Sequence, residues 1–473
     1  YVKKKSKSTY RKKPYLKNLF LLGFMFGFGF YLSGIYWISY SLTFDENFKF
    51  LIPFAIILIP LFLGLFLGLT TLIVGQFLHY NFSSILLFSA SFGLSDYLRS
   101  KILTGFPWNL WGYSWSWAVE ILQILNFVGL FAFNLIVITL FVVPSVLFFK
   151  ESNLKKLFIL SFFLLFIFSV YIFGTFSINK NKGLNNYINK KDSVYVKIVS
   201  PNFKLEYHSS LEELKKKLDK LIRYSDPDPK KNTLFVWPEG VFAGYSFKEI
   251  TQFKKIIQDK FSSNHKIIFG INTIQQDTKE YFNSLLLVDH NFEILQKYNK
   301  NKLVPFGEFL PFENLLNKIG LKKITQGHGS FSKGINQKNI TIENLNILPL
   351  ICYELIFPEL TQRGNKETNL IVNISEDGWF GNSIGPHQHF AKAIFRSIEK
   401  NTFLVRSANQ GVSAIINNKG EVIKKLNNYE AGNIEMNIPL IINDNKNKND
   451  LIFFILLFTY LIIFLIFKKN NDR

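Results

Sequence analysis

The chain has 473 residues, 48% of them apolar, with 52 phenylalanines and a formal net charge of +21. That is length enough for two domains, one of them solvated in part by lipid. A single cysteine, Cys352, excludes an intrachain disulfide and a multi-cysteine metal site. The basic excess does not point to nucleic acid, because eight of the Lys and Arg residues fall within the first seventeen positions, beside a long apolar run.

Residues 1–17 carry no acid and read as a cytoplasmic flank. Apolar runs follow at 18–42, 51–78, 83–98, 119–149, 156–178 and 451–467. Most reach the roughly 20 residues needed to cross a hydrocarbon core of about 30 Å. The run at 83–98 is marginal: it ends in Asp96 and Arg99, and a buried core helix is the rival reading there. The first run is too long for a signal-peptide core and lacks a small-residue cleavage site. Six spans from an inner N-terminus put Asp45-Glu46 outside and Lys150, Lys155, Lys156, Lys468 and Lys469 inside, in keeping with the positive-inside rule. The expected organisation is a basic N-terminal segment (1–17), a transmembrane helical domain (18–178), an extracytoplasmic domain (193–440) and a C-terminal transmembrane helix (451–467). A hinge rich in Asn, Lys and Gly lies at 179–192.

From about 194 the pattern changes to short β-branched segments between amphipathic stretches, the mark of an α/β or α+β domain. Strands are expected at 194–200, 233–237, 266–270, 284–289, 347–352, 370–374, 402–406 and 413–417. Residues 209–223 carry Leu211, Leu214, Leu218 and Leu221 at helical spacing, and 387–400 carry Phe390, Ile394 and Ile398 on one helical face.

Three strand ends or loop starts each present a reactive side chain: Glu239 in Trp237-Pro-Glu, Lys300 in Tyr298-Asn-Lys, and Cys352 in Ile351-Cys-Tyr-Glu. Pro238 stops regular pairing, so Glu239 is expected on a rigid turn at the sheet edge. A lone cysteine is either an inert, small buried hydrophobe or a nucleophile. As a nucleophile its thiol, with an ordinary pKa near 8.5, needs a base and a cation close by, which a Glu and a Lys supply. His387 and His389, with Glu376-Asp377, raise the question of a metal. Two His at that spacing face different sides of a helix and no third ligand is in register, so no metal is expected.

The order and setting of Trp237-Pro-Glu, Lys300 and Ile351-Cys-Tyr-Glu resemble the Glu-Lys-Cys triad of the nitrilase-like carbon–nitrogen hydrolase superfamily. The resemblance narrows with three further stretches: Asn299-Lys-Asn-Lys-Leu-Val-Pro-Phe-Gly-Glu-Phe-Leu-Pro, Asp377-Gly-Trp-Phe-Gly-Asn-Ser-Ile-Gly-Pro-His-Gln-His and Arg406-Ser-Ala-Asn-Gln-Gly-Val-Ser-Ala. Together with Gly27-Phe-Gly-Phe-Tyr-Leu-Ser-Gly-Ile-Tyr-Trp and Thr104-Gly-Phe-Pro-Trp, they resemble the apolipoprotein N-acyltransferase family over nearly the whole chain. The resemblance implies an α+β protein, a multi-span helical membrane domain plus a nitrilase-like αββα sandwich, in the bacterial inner membrane with its catalytic domain in the periplasm. It implies an acyl transfer from a phospholipid, through a thioester on Cys352, to the amine of a diacylglyceryl-modified apolipoprotein, with Glu239 as general base and Lys300 stabilising the oxyanion. Glu308, Tyr353 and Glu354 match supporting residues of the family. Glu308 either orients Lys300 or the amine, or braces the turn after Gly307. No cofactor and no nucleic acid are implied.

Three departures accompany the resemblance. The family typically has eight spans against about six here, so an N-terminal hairpin is expected to be missing relative to it. Asn202-Phe-Lys-Leu-Glu-Tyr stands where a Trp usually follows the Asn, with Tyr207 as the substitute, and Gly378 stands where Ala is usual. The aromatic run from Phe106 to Trp117 suits an interfacial belt or a substrate contact. A membrane-tethered amidase or nitrilase using the same triad with water as acceptor is the alternative enzyme, and a catalytically silent receptor or scaffold the alternative class.

Overall fold

The structure, a computed structural model, describes residues 14–184, 193–207, 209–313, 330–335, 338–363, 367–441 and 449–471. Most of the basic N-terminal segment and of the expected hinge lies outside the described residues. The chain divides into two units: Tyr1–Ser39, Glu46–Ile178 and Asn447–Arg473 form the first, Tyr40–Asp45 and Asn179–Lys446 the second.

The first unit is helical. Its helices are α1 (Pro14–Ile35), α2 (Ile52–Val74), α3 (Phe82–Arg99), α4 (Leu125–Val142) and α5 (Asn153–Leu184), with a C-terminal helix Asn449–Asn471. Among the described residues, five helical stretches are long and apolar enough to cross a membrane: Tyr15–Phe44, Glu46–Val74, Leu125–Phe148, Asn153–Asn181 and Asp450–Phe467. The marginal run at 83–98 does form a helix, α3, but is not among the five. Serines thin its apolar surface, and Ser83, Ser84, Ser89 and Ser95 are buried together with Asp96 and Arg99.

Glycine sets the packing of α1 on α2. A Cβ at Gly27 would stand 2.9 Å from Gly64 Cα, and one at Gly23 would stand 2.5 Å from Leu67 O, so the two backbones approach as larger residues would forbid. Thr71 Oγ1 donates to Leu19 O at 2.8 Å across the same seam. Buried Arg99 donates to Asp96 (3.0 Å) and to the carbonyl of Phe106, while its guanidinium lies over the Tyr31 ring. Asn134 closes the network, donating to Asp96 at 2.9 Å and accepting from Gly112 N at 2.9 Å. This ion pair therefore pins the Phe106–Tyr113 loop to α3 and α4. The Trp37 and Trp108 rings meet at 4.9 Å, which brings together the two membrane motifs read from the sequence. The aromatic run itself is divided, with Trp108 buried and Trp117 77% exposed.

The second unit holds two six-stranded sheets, ordered β12-β1-β2-β3-β4-β5 and β11-β10-β9-β8-β7-β6 among the described residues. The strands are β1 (Ser193–Ser200), β2 (Thr233–Val236), β3 (His265–Gln275), β4 (Glu280–Asp289), β5 (Ile294–Asn299), β6 (Ile340–Ile342), β7 (Leu345–Ile351), β8 (Leu370–Glu376), β9 (Leu404–Asn409), β10 (Ser413–Ile416), β11 (Val422–Leu426) and β12 (Gly432–Pro439). β1, β2 and β3 run parallel, as do β7, β8 and β9, and the outer pairs are antiparallel. Alternation decides the layers. Val196, Ile198, Leu234, Val236 and Ile268 pack in one core with Ile347, Ile351, Val372, Ile374 and Val405 of the other sheet. Their neighbours Val199, Phe235, Trp237, Ile267 and Phe269 face the opposite way, onto Leu214, Leu218 and Leu221. Both faces of the first sheet are thus dry, which is why its strands read as continuous apolar runs.

The helix bearing those leucines is α6 (Leu211–Ser225), started by a Ser210/Glu213 capping box and stopped at Asp226, whose φ is +41°. Leu211, expected in its apolar stripe, is instead exposed in the first turn. Helix α7 (Gly385–Lys400) begins at Pro386 in its first turn and ends at Asn401, φ +50°. Four strands have no counterpart among the expected ones: β5, β6, β11 and β12. They are outer strands, and β11 exposes four of its five residues.

Candidate active site

The site residues gather at the carboxyl ends of strands, where strand-to-loop transitions free side chains from sheet pairing. Glu239 follows β2. Trp237 N still donates to Ile268 O (2.8 Å) and its indole to Ser225 Oγ (2.9 Å), and Pro238 then ends the ladder. Gly240 turns with φ +77°, where a Cβ would lie 2.7 Å from Glu376 Oε2. Only glycine fits that turn without strain. Cys352 follows β7 and itself takes φ +46°, a left-handed conformation uncommon for a side chain of its kind. Lys300 follows β5, and its N–H donates to Asn283 O at 2.8 Å.

Two carboxylates meet the lysine. Lys300 Nζ lies 2.8 Å from Glu308 Oε1 and 3.6 Å from Glu239 Oε1, and its side chain is 1% exposed. Burial works to lower the pKa of this ammonium, but Glu239 and Glu308 outweigh it and hold Lys300 above the usual lysine range. Asn283 on β4 completes the group, donating its amide hydrogens to Glu239 Oε1 (2.7 Å) and Glu308 Oε1 (2.7 Å). Glu308 also accepts from Val304 N at 2.9 Å. It therefore both pairs with Lys300 and braces its own turn. The second oxygen of Glu239 accepts from Glu376 N (3.1 Å), tying the end of β2 to the end of β8 in the facing sheet.

The Cys352 thiol is pushed well above its ordinary range by burial and by the negative charge of Glu239, with Lys300 pulling the other way. The resting group is a protonated thiol within the electrostatic reach of Glu239 and Lys300. Tyr353 sets its ring edge-on to Phe357, centroids 5.1 Å apart. Glu354 is completely buried and turns away from the thiol. Its Oε1 accepts from Tyr298 OH (2.8 Å), Asn301 N (2.6 Å) and Lys302 N (3.1 Å), and its Oε2 from Ile351 N (2.9 Å). One carboxyl thus clamps the lysine loop to the cysteine strand. Burial pushes it up to about 7, against the opposing pull of the Ile351 and Asn301 N–H donors. Glu354→Gln is isosteric but turns an amide N–H onto Ile351 N–H, leaving that buried donor unmet. The expected cost is ~1–3 kcal/mol, read as a fall of roughly 2–4 °C per kcal/mol in the thermal midpoint of the intact chain. An unchanged midpoint would remove the clamp from the account.

Beneath the thiol lies a polar network that spacing in the sequence did not disclose. Asp377 accepts from Ser375 Oγ (2.7 Å) and Arg406 Nη2 (2.6 Å), and its Oδ1 lies 3.0 Å from His389 Nδ1. Arg406 also donates to Asn373 Oδ1 and to Val412 O (3.2 Å). His387 is exposed while His389 is buried, as their spacing on a helix requires. Among the described residues no group of three His, Cys, Asp or Glu side chains is placed to hold a metal ion. Burial first, then Arg406 and Lys392, push His389 down to about 4, with Asp377 pulling up. An unfolded histidine takes a proton near 6.5 that the folded one refuses, so this share of stability is complete above about pH 6.5 and is lost as pH falls toward 4. It is worth on the order of 3 kcal/mol. His389→Gln should flatten the loss of stability between pH 7 and 5, measured by denaturant unfolding; an unchanged slope would assign the proton uptake to another group.

Glu376 ends β8, accepting from Gly378 N (2.9 Å) and Asn409 Nδ2 (2.7 Å), and burial holds its carboxyl well above the usual range. A Cβ at Gly378 would stand 2.7 Å from Glu376 Oε1 and 2.6 Å from Gln410 Oε1, so a side chain at this position would have to displace one of those two groups. Tyr207 lies against Trp379, ring centroids 6.1 Å apart, and Trp379 in turn meets Phe44 edge-on at 5.0 Å.

Residues 205–441 match the carbon–nitrogen hydrolase family, and the chain is a nitrilase-like enzyme domain accompanied by helices long and apolar enough to cross a membrane. Residues 8–143 match the apolipoprotein N-acyltransferase N-terminal domain. The apolipoprotein N-acyltransferase of Rhodopseudomonas palustris is 31% identical over 434 residues, covering 89% of this chain and 80% of that protein. That of Rickettsia prowazekii is 33% identical over 423 residues, covering 88% and 82%. An amidase structure from Nesterenkonia sp. has 15% identity and a TM-score of 0.40, covering 56% of this chain and 97% of its own. The chain belongs to the apolipoprotein N-acyltransferase family, a family of membrane acyltransferases.

Proposed function

We propose that this protein moves an acyl chain from a membrane phospholipid to the N-terminal amine of a diacylglyceryl-cysteine apolipoprotein, through a thioester on Cys352. The observation that carries the reading is Glu239 and Lys300 set 3.6 Å apart in the electrostatic reach of a thiol on a left-handed turn. The work is divided as follows. Glu239 takes the thiol proton as Sγ attacks the ester carbonyl, since the buried thiol does not ionise unaided. Lys300 and a backbone N–H near Cys352 stabilise the oxyanion. The tetrahedral intermediate collapses, the lysophospholipid oxygen takes the proton back from Glu239, and the acyl group remains on sulfur. The acceptor amine then attacks the thioester, gives its proton to Glu239, and the released sulfur recovers that proton. Atoms and charge balance without a cofactor. Glu308 and Asn283 orient Lys300 and Glu239, and Glu354 holds the elbow.

The basic flanks of the apolar runs support an inner-membrane location with the catalytic domain on the periplasmic side. The domain boundaries are taken as 18–178, 193–440 and 451–467. Intact-mass analysis after incubation with a defined phospholipid tests the reading. A hydroxylamine-labile acyl adduct is expected on wild type and not on Cys352→Ser, and it should be discharged by a diacylglyceryl peptide. Ammonia released from soluble amides, with no adduct from phospholipid, would instead establish the amidase.

A further inference from the structure

Cys352 holds a left-handed conformation, which is unfavourable for a residue with a side chain unless its surroundings enforce it. The enforcing contact is His389 Nε2, 3.2 Å from the Cys352 carbonyl oxygen. A carbonyl only accepts, so this contact requires the proton on Nε2; Nδ1 of the neutral ring then accepts from Arg406 Nη2 at 3.2 Å. The imidazole cannot swing away. It is completely buried, its Nδ1 lies 3.0 Å from Asp377 Oδ1 and 3.2 Å from Arg406 Nη2, and Phe380 abuts it edge-on at 5.4 Å between centroids. Asp377 and Arg406 are themselves anchored to β8 and to the carbonyl of Val412. A rigid chain of contacts therefore runs from the second sheet to one peptide bond, the one that follows the nucleophile.

That bond is planar and trans, so its C=O and N–H point in opposite directions. Fixing the Cys352 carbonyl on His389 fixes the Tyr353 N–H toward the other side of the peptide plane. We propose that His389 is a positioning residue for acyl transfer: by holding the Cys352 carbonyl it aims the Tyr353 N–H as an oxyanion donor. The inference rests on the thioester reading above. It gives work to a buried histidine that the Glu-Lys-Cys chemistry leaves idle.

The test separates attack at carbonyl carbon, which builds an oxyanion, from alkylation by iodoacetamide, which builds none. Both rates are read by intact mass on the full chain, at its single cysteine, with vesicles of phosphatidylethanolamine and phosphatidylglycerol as acyl donor. His389→Leu removes the donor, and His389→Gln keeps an N–H able to reach the carbonyl. For the Leu variant, acyl-enzyme formation is expected to slow about ten- to hundred-fold, since small misplacements of catalytic groups cost that much. Its alkylation should stay within about two-fold and the apparent KM for phospholipid should not change. The Gln variant should acylate within about five-fold of wild type by the same reasoning. Equal slowing of both reactions in the Leu variant, or acylation at the wild-type rate, overturns the proposal. So does a folded Gln variant as slow as Leu, or failure of both variants to fold, which would make His389 a folding residue. A wild-type protein that forms no acyl-enzyme overturns the underlying reading, and it does so before any variant is compared.

Discussion

Glu239→Gln is expected to abolish acyl transfer, by ~10²–10⁴-fold, while leaving Cys352 open to alkylation by iodoacetamide. The split follows from the charges around the thiol. Burial is the largest cause holding the proton on sulfur, Glu239 adds to it, and Lys300 opposes it. Replacing the carboxylate by an amide removes the repulsion and leaves the cation, so the thiolate becomes easier to form, not harder. What the variant lacks is the proton carrier. A thiolate leaves a tetrahedral intermediate more readily than an alkoxide does, so with no acid to protonate the lysophospholipid oxygen the intermediate returns to reactants. Alkylation needs no such acid and proceeds. Loss of both reactions together would mean that Glu239 serves the fold of the site; retention of both would remove it from the chemistry.

The parts of this molecule legible in the sequence are those whose information is local. The apolar runs declare themselves by composition, and the central strands by β-branched segments that pack on both faces. Pro238 after β2 and the apolar stretch before Cys352 mark strand ends, and Glu239 and Cys352 do sit there. Strands β5 and β11 are hard to read because each carries lysine on an outer position and shows little alternation, as outer strands often do. Helix α3 is the marginal span for a physical reason: its Asp96 and Arg99 pair with each other and are held by Asn134 and by loop carbonyls within the helical unit. The polar braces are illegible for a different reason. Asn283 meets Glu239 from 44 positions away, and Arg406 meets Asp377 from 29, so neither pair has a spacing to read. Glu354 stands out beside Cys352, but its direction, away from the thiol and onto the lysine loop, belongs to the tertiary structure alone.

Lys300→Met should destabilise the protein and inactivate it, and the two effects should separate on a second substitution. The lysine is the cation between Glu239 and Glu308, which both accept from Asn283. Removing it leaves two carboxylates facing one another in a buried site, a loss of ~3–5 kcal/mol for a broken buried pair. Turnover should fall by a further ~10²–10³-fold for the missing oxyanion partner. In Lys300→Met/Glu308→Gln the uncompensated charge is gone and Glu239 is the lone acid of the pair, but the single oxygen of the new amide can accept from Val304 N or from Asn283 Nδ2 and not both, which leaves one donor unmet at ~1–3 kcal/mol. Part of the stability should return, as a thermal midpoint between the single variant and wild type, with turnover as low as in the single variant. Activity returning with stability would make Lys300 a counter-ion for Glu308 and leave the oxyanion to backbone donors; a double variant as unstable as the single one would show that the ammonium's remaining tie to Glu239, at 3.6 Å, carries the stabilisation.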